Sequence, residues 1–397
     1  MRLSKVYVTE CIAVAALMAL SGVPQVSKAA EPHFERAACT TLGFAADDLD
    51  SHVECGWLSV PESRDRESTR TLRLPVLVGR AQAKDGAAEP VLYLHGGPGM
   101  ATLDVVPRAL KGKSWPLLRE KHDVVFFDQR GTGRSTPQLC PELNTALDAL
   151  FDEGLAQEKS LPRELEAVRA CRRTLDSEGA DIEAYNATEI AGDAEDLRRA
   201  LGYETWNVFA TSFGTLPAME LLRQNPKSVR ALILDSAFPP NSSNYAEQIS
   251  ITAESFAAFQ ARCNADAACR QTYPPIRESA AKVAARLNAK PLPNGKGAID
   301  GGAFLGAVWT AQVEGKSVAF VPEILRRAEG GDEDFIRKFV ASFGDSGHFG
   351  GYSYGQGWMV NCHDIFRPPS APLVARAIKA NPDLAGDTKI NNGTLIY

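Results

Sequence analysis

A serine with small neighbours stands where a short apolar run meets a helical pattern. Residues 207–210 (NVFA) lead into residues 210–214 (ATSFG), and a helical pattern follows. This is the context of a G-x-S-x-G elbow, with alanine in place of the first glycine. The tight turn of such an elbow strains the serine backbone and projects Oγ into a cleft, so Ser212 is the predicted nucleophile. A strand-to-helix turn with a capping serine is the alternative interpretation.

A glycine-rich loop earlier in the chain supplies what such a nucleophile needs. Attack on a carbonyl builds negative charge on its oxygen, which preorganised backbone N–H groups must stabilise. One predicted donor is Phe213, the residue after the serine. Residues 95–99 (HGGPG) follow the apolar run 91–94 and fit the second donor loop, with Gly97 as the preferred donor. A simple glycine turn is the alternative.

Strand and helix patterns alternate through the first 240 residues. Further apolar runs end at residues 128–133 (DQRGTG) and at Asp235, and residues 190–201 are amphipathic, with Thr188 as the predicted N-cap. Apolar strands alternating with helices predict an α/β protein with a mostly parallel sheet covered by helices. Ligands of such sheets bind at the carboxyl ends of the strands, where these turns lie.

The pattern changes after residue 240. Residues 245–289 and 320–344 are helical and alanine-rich, and a Pro/Gly-rich segment, 291–302, separates them. We therefore predict a core over residues 30–240, a helical cap over residues 241–350, and a return toward the core over residues 351–397 that is incomplete.

The composition excludes several functional classes. The 397 residues are 44% hydrophobic and 23% charged, with a net charge of −6, so nothing predicts a nucleic-acid partner. The one dense charge cluster, residues 62–70, mixes both signs and is interpreted as a solvated hairpin tip. The histidines and cysteines lack metal-ligand spacing, and no glycine loop carries the lysine of a phosphate-binding loop. We expect no metal and no cofactor.

Residues 1–29 have the order of a secretory signal peptide. Arg2 and Lys5 precede the short apolar run 12–20, and residues 27–29 (SKA) offer a cleavage site. A buried N-terminal helix is the alternative. No second long apolar segment follows, so we expect a secreted or periplasmic protein with no membrane contact after signal removal.

Eight cysteines are present, and Cys11 lies in the predicted signal peptide. Seven remain, which leaves one unpaired in an oxidising compartment. Sequence order suggests three local pairs, which leave Cys362 as the unpaired residue: Cys39 with Cys55, Cys140 with Cys171, and Cys263 with Cys269.

Four segments together resemble the proline iminopeptidase and tripeptidyl aminopeptidase family of α/β-hydrolases: HGGPG at 95–99, DQRGTGRS at 128–135, DLRRALGYETWNVFATSFGT at 196–215 and ALILDSAFPP at 231–240. The resemblance covers residues 39–240 and is looser over the cap, although residues 362–364 (CHD) resemble a family feature. It implies an α/β-hydrolase fold and an exported serine hydrolase that removes short units from peptide N-termini. By family position, Asp364 is a candidate for binding the substrate's α-ammonium group. Relatives also include esterases acting on small substrates.

The remaining triad members are not found. In this fold the acid and the histidine follow the serine in the chain. The family's acid lies in a G-x-x-D-P-x-T-P-like turn and its histidine in a Gly-His-like loop, and the 397 residues contain neither motif. We therefore expect both in a segment beyond Tyr397, and we expect the chain as given to be catalytically impaired. An esterase and a non-catalytic peptide-binding relative are the alternative functions.

Other titratable residues receive structural interpretations. His348 and His363 do not follow a strand-plus-acid unit, and His95 opens the oxyanion loop. Asp235 could act as the acid, but a turn-capping role is preferred. The remaining interpretations are a solvated helix face for Asp193 and Asp196, and a turn-fixing role for Asp128 and Arg130.

Overall fold

The computed structural model describes residues 32–384, apart from residues 46, 67–69, 84–87, 154–156, 241–243, 296, 314–316, 344–350 and 366–369. The predicted signal peptide, His348 and the chain end at Tyr397 therefore lie outside the described residues.

A seven-stranded sheet forms the centre of the first half of the chain. Its strands are β1 His33–Ala37, β2 Val53–Pro61, β3 Thr71–Gly79, β4 Ala88–Leu94, β5 His122–Phe127, β6 Trp206–Thr211 and β7 Val229–Asp235. They lie in the order β1-β2-β3-β5-β4-β6-β7. The pairs β1–β2, β2–β3 and β3–β5 are antiparallel. The pairs β5–β4, β4–β6 and β6–β7 are parallel. The half of the sheet that carries the predicted motifs is thus parallel, as expected.

Fourteen α-helices are described, and the first six accompany the sheet. These are α1 Thr102–Leu110, α2 Ser114–Arg119, α3 Pro141–Glu153, α4 Gln157–Ser177, α5 Ala187–Ala200 and α6 Thr215–Gln224. Successive strand side chains point to opposite faces. Val208 and Ala210 of β6 join the core formed with α3 to α6, whereas Phe209 packs with the core of α1 and α2. Helices therefore cover both faces of the sheet.

The later helices build a second core. They are α7 Asn244–Ala265, α8 Ala267–Thr272, α9 Ile276–Ala289, α10 Gly301–Val313, α11 Val321–Glu329, α12 Glu333–Phe343, α13 Tyr354–Val360 and α14 Ser370–Ala380, with a small hairpin, β8 Leu292–Asn294 and β9 Gly297–Ile299. Helices α7, α9, α10, α11, α12 and α14 share one buried apolar cluster. Helix α13 instead packs on the sheet domain, through Tyr354 and Val360. The boundary at residue 240 stays a prediction.

The cysteine pairing follows sequence order. Cys39 bonds Cys55, Cys140 bonds Cys171, and Cys263 bonds Cys269. Cys362 is free and exposed. The three predicted pairs are confirmed.

A buried ion network ties the predicted hairpin tip to α5. The guanidinium of Arg130 is fully buried and bonds Asp193, and Arg64 reaches Glu189, Asp193 and Asp196. The prediction that Asp193 and Asp196 form a solvated helix face was wrong. Arg64 covers them from the predicted tip, in which Glu62 and Ser63 are buried, whereas Asp65 and Arg66 stay exposed.

No described helix is long and apolar enough to cross a membrane. Within the described part of the chain, no group of three or more His, Cys, Asp or Glu side chains could hold a metal ion.

Candidate active site

Ser212 occupies a strained elbow between β6 and α6. Its φ is +53°, in the left-handed region that non-glycine residues rarely adopt. A Cβ placed on Gly214 would lie 2.2 Å from the carbonyl oxygen of Leu94, at the end of β4. The elbow therefore needs glycine at this position, because the first turn of the helix passes directly over the neighbouring strand.

Thr215, the first residue of α6, fixes the backbone of the elbow through two hydrogen bonds. The Thr215 hydroxyl donates to the carbonyl oxygen of Ser212 at 2.6 Å and accepts from the backbone N–H of Phe238 at 2.8 Å. Thr215 is fully buried. The carbonyl of the strained serine is thus fixed both to its own helix and to the loop that follows β7.

The glycine-rich loop lies directly against the serine. A Cβ placed on Gly96 would be 2.8 Å from the Cβ of Ser212 and 3.4 Å from its Oγ. Gly97 has a φ of +125°, which strains any L side chain. The structure therefore brings the loop that carries Gly97 together with Ser212 and Phe213.

His95 opens this loop and is held by neighbours on the sheet. Its Nδ1 lies 3.0 Å from the Tyr93 hydroxyl, and its carbonyl oxygen accepts from the amide of Gln129 at 3.0 Å. Burial lowers the pKa of the His95 imidazole, which favours the neutral ring at physiological pH. These contacts agree with the structural interpretation of His95.

Asp128 braces the turn beneath the site. Its two carboxylate oxygens accept from the backbone N–H groups of Leu103, at 2.8 Å, and Arg134, at 2.9 Å. Burial raises the pKa of the Asp128 carboxyl to about 6. The carboxylate thus joins the start of α1 to the DQRGTG turn, in agreement with the turn-fixing interpretation.

Asp235 ends β7, beside Thr211 in the parallel register. It is exposed, and the hydroxyl of Ser236, whose φ is +56°, donates to it at 3.1 Å. The turn-capping role of Asp235 stays a prediction.

Asp364 lies in a π-helical turn, Asn361–Ile365, that follows α13. One carboxylate oxygen accepts from the backbone N–H of Ala187 at 2.7 Å, and the other lies 2.8 Å from Nδ1 of His363. Ala187 is the first residue of α5, where the helix dipole favours a negative charge. Val360, just before the turn, and Ile365, its last residue, pack with Phe213 in one apolar cluster. Asp364 is therefore anchored on the segment that packs against Phe213.

Comparison with known proteins matches residues 89–271 to the family model described as the alpha/beta hydrolase fold. The chain has the α/β-hydrolase fold. It is 27% identical over 214 residues to a tripeptidyl aminopeptidase of Streptomyces lividans, covering 52% of this chain and 39% of that protein. It is 28% identical over 191 residues to the serine protease Hip1 of Mycobacterium tuberculosis, covering 47% and 36%. It is 28% identical over 150 residues to a proline iminopeptidase of Xylella fastidiosa, covering 38% and 33%.

These alignments confirm the resemblance stated from the motifs. The chain spans less than two-fifths of the length of each of these three relatives. Among solved structures, a thermophilic esterase from Thermogutta terrifontis is 16% identical, with 80% of this chain and 75% of that chain covered and a TM-score of 0.33.

Proposed function

We propose that this α/β-hydrolase cleaves peptide bonds near the N-terminus of peptides through an acyl-enzyme on Ser212. The observation that carries the proposal is the strained Ser212, with φ +53°, facing the loop at Gly96. Such strain is costly and is concentrated at functional sites. An ordinary strand-to-helix turn can form without a residue at positive φ.

The proposed mechanism follows from this geometry. Oγ of Ser212 attacks the carbonyl carbon while a general base takes the hydroxyl proton. The backbone N–H groups of Gly97 and Phe213 stabilise the oxyanion. Collapse breaks the C–N bond, the proton passes to the leaving amine, and water then hydrolyses the acyl-enzyme. The base and its partner acid are assigned to none of the described residues.

The preference for peptide N-termini is supported by the names of the similar proteins, a tripeptidyl aminopeptidase and a proline iminopeptidase. Asp364 is the proposed partner of the substrate's α-ammonium group. Its carboxylate is only 11% exposed and lies on the segment that packs against Phe213. Three disulfides and the predicted signal peptide support a secreted or periplasmic location.

The test compares peptide anilides with free and with blocked N-termini, and short acyl esters, on the wild-type protein as its native host makes it and on its Ser212→Ala variant. We expect Ser212-dependent turnover that favours the free N-terminus. Asp364→Asn should raise KM for the free form and leave KM for the blocked form within about twofold, because only the free form carries the ammonium charge. Preference for esters alone would indicate an esterase. Equal turnover by wild type and Ser212→Ala would overturn the assignment.

A further inference from the structure

Residues 351–353 pair with the end of the proposed oxyanion loop, at residues 99–101. The backbone N–H of Ser353 donates to the carbonyl oxygen of Gly99 at 2.8 Å, and the N–H of Ala101 donates to that of Gly351 at 3.0 Å. Between these two bonds, Met100 and Tyr352 form an antiparallel bridge. Residues 99–101 and 351–353 therefore form a short antiparallel pair, with one bridge and two backbone hydrogen bonds.

The Tyr352 ring fills the space between this loop and α13. A Cβ placed on Gly99 would lie 3.0 Å from Cζ of the ring, and one placed on Gly357 would lie 3.2 Å from the same atom and 2.6 Å from the hydroxyl oxygen. The ring thus packs against the bare backbone of a glycine on each side. Gly99 has a φ of +104°, so the loop adopts there a conformation that glycine tolerates best.

The position of the ring is itself fixed. Asn144 of α3 donates its amide to the carbonyl oxygen of Tyr352 at 2.7 Å and accepts from the backbone N–H of Tyr354 at 3.0 Å. The Tyr354 ring meets the Tyr352 ring edge-on, with the centroids 4.8 Å apart. A side chain held by α3 and α13 therefore sets how closely the oxyanion loop can approach α13.

We infer that Tyr352 is a positioning residue that holds the oxyanion loop in place through Gly99 and Met100. The inference rests on the proposed function for its catalytic consequence, but the packing that it describes can be tested without turnover. Backbone donors stabilise an oxyanion only when they are fixed at hydrogen-bond distance from the position that the charge will occupy. Without the ring, the antiparallel pair of residues 99–101 and 351–353 loses the side chain that packs against Gly99, and the loop is free to shift.

The variants are Tyr352→Ala, which removes the ring, and Tyr352→Phe, which keeps it. Phe335→Ala is the matched control, because it removes a partly buried ring from the apolar cluster of the later helices and leaves α13 and the loop unchanged. Amide hydrogen exchange of a peptide covering residues 97–103 reports on the loop directly. Turnover of a short p-nitrophenyl ester reports on catalysis.

We expect Tyr352→Ala to speed exchange in this peptide by about tenfold or more, with Tyr352→Phe and Phe335→Ala close to wild type there. We expect kcat to fall by about 10–100-fold in Tyr352→Ala with KM within about threefold, the signature of a lost transition-state contact. Tyr352→Phe should keep kcat within about threefold.

Unchanged exchange in Tyr352→Ala would overturn the inference, and so would an equal increase in Phe335→Ala. An active wild type whose kcat is unaffected by Tyr352→Ala would overturn it as well. If wild type shows no Ser212-dependent turnover while the exchange result is as expected, the proposed function fails and the positioning of the loop stands.

Discussion

Adding one methyl group at Gly96 tests the contact between the glycine-rich loop and Ser212, the proposed nucleophile. In Gly96→Ala the new Cβ would lie 2.8 Å from the Cβ of Ser212 and 3.0 Å from the carbonyl oxygen of Thr211. Carbon atoms in contact prefer about 3.5–4.0 Å, so the loop and the serine must separate by about 1 Å. A displacement of that size in an active site costs on the order of 10²-fold in rate.

The assay is kcat for a short acyl ester, measured beside the thermal unfolding midpoint. Gly330→Ala is the matched control, because its Cβ would meet nothing closer than 3.4 Å in the cap. We expect Gly96→Ala to lose about 100-fold in kcat, while Gly330→Ala stays close to wild type. A folded Gly96→Ala protein with wild-type kcat would refute the argument that this loop and Ser212 form one site.

Three further predictions concern the supporting structure and the mature protein. The pKa of the Asp128 carboxyl is about 6 in the folded protein, against 3.8 for the ordinary group. Its contribution to the free energy of unfolding is therefore full below about pH 4 and is lost as the pH rises through 6, a change of about 3 kcal/mol. Urea denaturation at pH 4 and pH 7 should therefore show a smaller pH dependence in Asp128→Asn, and an unchanged dependence would contradict the assignment. Arg64→Ala leaves buried carboxylates, Asp193 among them, short of a partner and should cost about 3 kcal/mol by urea denaturation, while Arg163→Ala, which breaks an exposed pair, should change stability little. N-terminal sequencing of protein exported by its native host should begin near Ala30, and an intact Met1 would refute the signal peptide.

The elbow and the glycine-rich loop could be predicted because each is specified by residues that are close together in the sequence. Ser212 needs small neighbours within two residues, and residues 95–99 follow directly on a strand. The fold class followed in the same way, since alternating apolar and helical runs are short-range patterns. The cysteine pairs were also close in sequence, which is why chain order was sufficient to predict them.

Contacts between distant segments could not be predicted in this way. Asp193 and Asp196 have the spacing of a helix surface, and only folding brings Arg64 over them. The helix there begins one residue before the predicted cap, because the side chain of Asn186, and not that of Thr188, accepts from the backbone N–H of Glu189.

The role of Tyr352 has no sequence signature either. Its partners on the loop and in α13 are glycines, whose place against a ring is visible only in three dimensions. A pattern of glycines spaced around an aromatic residue is too common to have indicated this contact.

The most direct test of the central claim is to map where a fluorophosphonate probe reacts. Ser212 and Ser236 make a matched pair, because both are non-glycine residues with positive φ at the ends of neighbouring strands, yet only Ser212 faces the glycine-rich loop. For the protein as its native host makes it, we expect mass spectrometry of the digest to find the phosphonyl group on Ser212, with labelling abolished in Ser212→Ala and retained in Ser236→Ala. Equal labelling of wild type and Ser212→Ala would contradict the assignment of Ser212 as the nucleophile.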